Sequence, residues 1–104
     1  MRLVNTGYIA QEKVVETLAM VRGSTVQSKH LGRDFMAGLK SLVGGELRGY
    51  TELLEEARDE ALARMVAEAE RLGADAVVNI RFVTSSIAAN ASEILVFGTA
   101  VRTE

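Results

Sequence analysis

The chain has 104 residues, 48% of them hydrophobic and 25% charged, a balance that suits one compact globular domain and leaves no room for a second core. Twelve Lys and Arg stand against fourteen Asp and Glu, for a formal charge of -2, and the cations are scattered, so no DNA or RNA partner is expected. The absence of cysteine excludes disulfides, thiolate nucleophiles, iron–sulfur clusters and thiolate zinc sites, and the absence of proline leaves punctuation to nine glycines.

The opening stretch MRLVNTGYIAQEK has no basic region followed by an apolar core, and no run approaches the roughly 18 apolar residues of a membrane span. A cytoplasmic protein with no membrane partner is the expectation. Arg2 to Thr6 is β-prone, is followed by Gly7, and predicts a short edge strand. Lys13 to Gly23, KVVETLAMVRG, predicts a second strand with two apolar faces: Val14, Leu18 and Met20 on one parity, Val15, Thr17, Ala19 and Val21 on the other. The polar segment Ser24 to His30 then reads as a surface connection.

Leu31 to Val43 sets Leu31, Phe35, Leu39, Leu42 and Val43 at helical spacing, and Gly44-Gly45 ends that short helix. Gly38 in its middle costs roughly 1 kcal/mol relative to Ala, so a close approach to another backbone is expected there. Glu46 to Gly49 forms the loop into the longest helical signal, Tyr50 to Leu72. In that helix Leu54, Ala57, Ala61, Leu62, Met65, Ala69 and Leu72 share one sector, while Glu55, Glu56, Asp59, Ala63, Glu70 and Arg71 fall on the opposite side. Thr51 is the expected N-cap, Glu52 and Glu55 suit the first turn, and Gly73 is the expected left-handed stop.

Beyond the helix, Ala76 to Phe82 alternates, with Ala76, Val78, Ile80 and Phe82 on one side and Val77, Asn79, Arg81 and Val83 on the other. Thr84 to Ser92 is small and polar and predicts a long hairpin loop, after which Glu93 to Arg102 returns as the last strand. In that strand Leu95, Phe97 and Val101 share one face, and Ile94, Val96, Gly98 and Ala100 the other. The order predicts an α+β fold: an antiparallel sheet of three to four strands with one long and one short helix on one face. The second sheet face would stay bare in a monomer, so self-association is expected, with Val15, Val21, Leu95 and Phe97 as interface candidates.

At RDFMAGLKSLVGG, Tyr50, the triplet Glu56 to Arg58, LGADAVVNI and GTAV, the chain resembles the YbjQ-like family of small prokaryotic proteins, over almost its whole length. The resemblance implies a YbjQ-like or dodecin-like fold and a ring-shaped homo-oligomer, typically a pentamer, and implies no enzymatic activity. The family often carries a heavy-metal-binding label. This chain offers one histidine, His30, and no cysteine, whereas soft and borderline metals favour imidazole and thiolate donors. Asn79 and Gln11-Glu12 depart from positions where relatives often have glycine, and neither change supplies a ligand.

Individual candidates divide between structural and functional roles. His30 suits an ordinary surface or capping histidine better than a ligand or proton carrier, since no orienting partner is implied nearby. Arg33 and Asp34 suit a structural ion pair or a pocket or interface position. Gly44 and Gly45, leading to Tyr50, match neither the phosphate loop nor the dinucleotide fingerprint. Glu52, Glu55, Glu56, Asp59 and Glu60 spread over a solvated helix face instead of converging on a cation. Arg58 falls within the apolar sector, where it can snorkel, pair with Asp34 or another subunit's carboxylate while partly buried, or hold an anion. No catalytic constellation, resident metal or cofactor is expected. The expected role is a non-catalytic, ring-forming binding or scaffold module, with a metal or small-ligand carrier built at subunit interfaces as the alternative.

Overall fold

The computed structural model describes residues 1–28, 48–89 and 91–104. In chain order these form β1 (Arg2–Leu3), β2 (Val14–Ser28), α1 (Arg48–Arg71), β3 (Ala76–Ala88) and β4 (Ala91–Thr103). The sheet order is β1-β3-β4-β2. β4 lies antiparallel to both β2 and β3, whereas β1 runs parallel to β3, so the sheet is mixed rather than wholly antiparallel. The expected short helix from Leu31 to Val43, with Gly38 in it, lies outside the described residues.

α1 lies along one face, over β2 and β4. Ala57, Ala61, Met65 and Ala69, four residues apart along one stripe, are buried against Val21, Val77, Ile80, Ile94, Val96 and Ala100. Leu54, Leu62 and Leu72 flank that core, as the helical spacing predicts. Small residues on the stripe bring the helix axis close to the sheet, and Gly23 is where the two backbones meet. A Cβ on Gly23 would collide with the Ala61 carbonyl oxygen and lie 2.5 Å from the Met65 amide nitrogen. Gly23 is therefore not the end of β2 but the point over which the helix crosses it, and the segment after it continues as strand to Ser28. Thr25, also buried, donates its hydroxyl to the Ala57 carbonyl at 3.2 Å.

The helix ends where the glycine places it. Gly73 has φ 78°, the Gly73 amide donates to the Glu70 carbonyl at 3.0 Å, and the Ala74 amide donates to the Ala69 carbonyl at 3.1 Å. That pair of bonds is a Schellman closure, with Ala74 packed on the core beside Ala69. The start differs from expectation: the helix begins at Arg48, so Thr51 lies within it, and its first turn contains no acidic residue. Near the other end, Glu68 holds the Arg71 guanidinium above its usual pKa, through a side-chain hydrogen bond first and Coulombic attraction second.

β3 does not alternate throughout. Asn79 has φ 55°, and the pairing with β4 slips between Val78 and Arg81. The extra residue is a β-bulge. It places Val77 and Ile80 together under the helix, while Ala76 and Val78 face the other way and join Ile9 and Val101 in a second small core. Val4 and Val14 pack against that second core, so the N-terminal segment covers one end of the sheet face opposite α1. The expected loop from Thr84 to Ser92 is instead mostly sheet, since β3 runs to Ala88 and β4 resumes at Ala91.

Candidate subunit interface

Away from the N-terminal segment, no described element covers the sheet face opposite α1. Strand register sets its side chains in rows across β2, β4 and β3: Arg22, Phe97 and Arg81; then Ser24, Leu95 and Val83. Met20 is 71% exposed and Val26 54%. Leu95 and Phe97 are half-buried by their neighbours in the sheet. The faces of β4 are those that the alternation predicts, because Ile94, Val96 and Ala100 lie in the helix-side core.

The four interface candidates separate. Leu95 and Phe97 lie on the bare face, and Val15 is exposed where β2 slips in register between Val14 and Glu16. Val21 is 1% exposed beneath α1, so it belongs to the subunit's own core. Odd positions of β2 turn toward the helix here because the second slip, between Thr17 and Ala19, shifts the parity.

Arg58 is exposed, and among the described residues it forms no ion pair. The buried stripe passes through Ala57 and Ala61 and rests on β2, β4 and the start of β3, and Arg58 falls outside it, exposed among the described residues. Among the described residues Arg58 is therefore an exposed guanidinium with no ion pair. Its expected partner Asp34, together with Arg33, Gly44, Gly45 and His30, lies outside the described residues. Tyr50 lies in the first turn of α1.

One depression, of about 530 Å³, is lined by Arg22, Gly23, Ser24, Arg64, Glu93 and Leu95 at the outer edge of β2. Arg64 is already engaged there. It reaches round the strand to donate to the Ser24 carbonyl at 2.5 Å and pairs with Glu60 at 2.7 Å. Glu12 carries a buried Oε2 with no hydrogen-bond partner among the described residues, while its Oε1 lies 3.8 Å from the Arg2 guanidinium. Neither place assembles a nucleophile with a base and an orienting group. Among the described residues no cluster of three or more His, Cys, Asp or Glu could hold a metal ion, and no helix is long and apolar enough to cross a membrane.

The YbjQ family model, described as "Putative heavy-metal-binding", matches residues 1–104. A UPF0145 protein from Halorubrum lacusprofundi is 60% identical over 102 residues, covering 98% of both chains. UPF0145 proteins from Methanosarcina acetivorans and Hahella chejuensis are 57% and 58% identical, covering 98% and 100% of this chain and 96% and 100% of their own. None of these descriptions names an enzymatic activity. Among solved structures, a protein of unknown function of the DUF74 family from Pediococcus pentosaceus superposes with a TM-score of 0.66. It covers 100% of this chain and 98% of its own at 14% identity, which speaks to the fold alone.

Proposed function

Because the chain belongs to the family that the YbjQ model describes, whose members are called UPF0145 proteins, we propose that it is a non-catalytic module that works as a closed ring of identical subunits. The observation that carries this is unburied area. The chain exposes 7117 Å², where a compact monomer of 11.2 kDa exposes about 5,700 Å². The surplus of roughly 1,400 Å² approaches two half-interfaces of about 800 Å² each, the pair of distinct patches that a head-to-tail ring member presents. The radius of gyration, 16.9 Å against about 13 Å for a compact chain of this length, points the same way. Five subunits follow from the family resemblance alone.

A second role is suggested by the family's metal-binding description, with sites gathered at subunit interfaces. The donor set does not fit a soft or heavy metal within one chain, since there is no cysteine and a single histidine. Such a carrier would need His30 repeated around a symmetry axis, or would take small ligands rather than metals. Native mass spectrometry tests the main proposal: a single closed species supports it, and a monomer at micromolar concentration overturns it. Titrating the assembled protein with a panel of metals and metabolites separates carrier from scaffold.

A further inference from the structure

The outer part of β3 is exposed at every position from Arg81 to Ala88, although all eight belong to a strand. α1 lies over β2 and β4 and leaves this part of the sheet uncovered, so Phe82, on the helix side, is 48% exposed. Val83, on the opposite side, is 41% exposed, and Ile87, at the register slip between Ser86 and Ala88, is 53% exposed. One edge of the segment pairs with β4. Along the other edge, the N-terminal segment makes its last bonds to β3 at Asn79, which donates to the Thr6 carbonyl, and Ile80, which donates to the Val4 carbonyl. Past Ile80, among the described residues, the Arg81 side chain donates to the Asn5 carbonyl and no strand lies alongside.

Exposed edges are normally blunted by charge, proline or irregularity, because their unpaired amides and carbonyls recruit other strands. The two outer edges of this sheet differ in that respect. β2 carries two register slips and the charged Glu16 and Arg22, and the Arg64 guanidinium occupies the Ser24 carbonyl. RFVTSSIA has a single charge, Arg81 at its inner end, and otherwise strand-forming or small residues. β3 slips as well, between Ser86 and Ala88, so the difference lies in charge: among the described residues the β2 edge is guarded by it, whereas Phe82 to Ala88 carries none and exposes Phe82, Val83 and Ile87.

We propose that Arg81–Ala88 is a docking strand, whose free edge and exposed Phe82, Val83 and Ile87 are covered by a second copy of this chain. A second copy is the occupant because the unburied surplus matches what membership of a closed oligomer removes, and so the inference rests on the ring proposed above. The strand supplies main-chain pairing on its edge, and its apolar side chains supply the buried centre of the contact.

Hydrogen exchange on the unmodified protein, analysed by peptide, tests this without risk of misfolding. In the assembled protein the amides of residues 81–88 are expected to exchange at least about 100-fold more slowly than in an unpaired edge, comparably with β4. Rapid exchange of about half of them, the pattern of a strand with one bonded neighbour, overturns the docking strand. The double variant Val83→Lys, Ile87→Lys alters only side chains exposed in the subunit. It is expected to keep its circular dichroism and raise the dissociation constant at least about tenfold. Unchanged assembly of a folded variant also overturns it. The two proposals fail differently. A native mass spectrum showing a monomer removes the ring and the docking strand together, whereas an oligomer with an unprotected β3 removes only the docking strand.

Discussion

Replacing Gly23 with Ala isolates the contact that joins helix to sheet. In a strand interior the substitution would by itself be favourable by roughly 0.5–1 kcal/mol, because Ala loses less backbone freedom than Gly. Here the added methyl falls 2.5 Å from the Met65 amide nitrogen and closer still to the Ala61 carbonyl. Both obstacles are backbone, so no rotamer change relieves the clash, and α1 must move away from β2 by about 1 Å. A gap of that size forfeits a quarter to a half of the dispersion well at each contact along the Ala57, Ala61, Met65 and Ala69 stripe. The net cost is expected to be about 3 kcal/mol, or a fall in Tm of more than about 10 °C at fixed protomer concentration. Gly98→Ala is the comparison. Its methyl would lie 2.6 Å from Val77 Cγ1 and 3.0 Å from the Val78 carbonyl oxygen, so its backbone contact is looser than those at Gly23 and a smaller loss is expected. Urea denaturation followed by circular dichroism measures both. A Gly23→Ala protein within about 0.5 kcal/mol of the parent would refute the close packing of α1 on β2.

Arg58→Ala is expected to change subunit stability by less than about 0.5 kcal/mol in the same denaturation assay, because the side chain is exposed and unpaired among the described residues; a loss near 3 kcal/mol would mean a buried partner from outside them. Phe97→Asp puts a charge on the bare sheet face, and size-exclusion chromatography should show folded monomers or no soluble protein; a folded variant with parental assembly would remove that face from the interface. Calorimetry with zinc or copper is expected to show no tight binding at one site per chain, since the donors are lacking; nanomolar one-to-one binding that survives replacement of His30 would contradict this.

The elements that hydropathy could reveal are those with one wet and one dry side. α1 is such an element, and its stripe and Gly73 stop were both readable. Its start was not, because Arg48 to Thr51 holds no residue that forbids a helix, and Thr51 is a plausible cap only if nothing helical precedes it. β4 was readable for the same reason. By contrast, Thr84 to Ala88 is strand with solvent on both faces in the subunit, and its Thr, Ser and Ala resemble a loop because they answer to no core. Ser24 to Ser28 reads as a connection for another reason: it is polar and follows a glycine, although Thr25 is buried under the helix. A glycine inside a strand pattern also signals close backbone approach, and that signal at Gly23 was available. The bulge at Asn79 reverses the parity of Ile80 without altering the apolar pattern; the trace it left was an Asn, a residue tolerant of positive φ, amid valines and isoleucine. Arg58 is exposed although it falls in the apolar sector, because angular position on a helix says which way a side chain points but not what lies there to cover it.

The central claim is that this subunit completes its burial only in the company of its copies. Sedimentation velocity across about two decades of concentration around micromolar tests it most directly. One closed species is predicted throughout, several times the 11.2 kDa subunit mass, with no monomer boundary while the protein stays folded. A folded monomer at micromolar concentration would contradict it, because the surplus surface would then be stable in water.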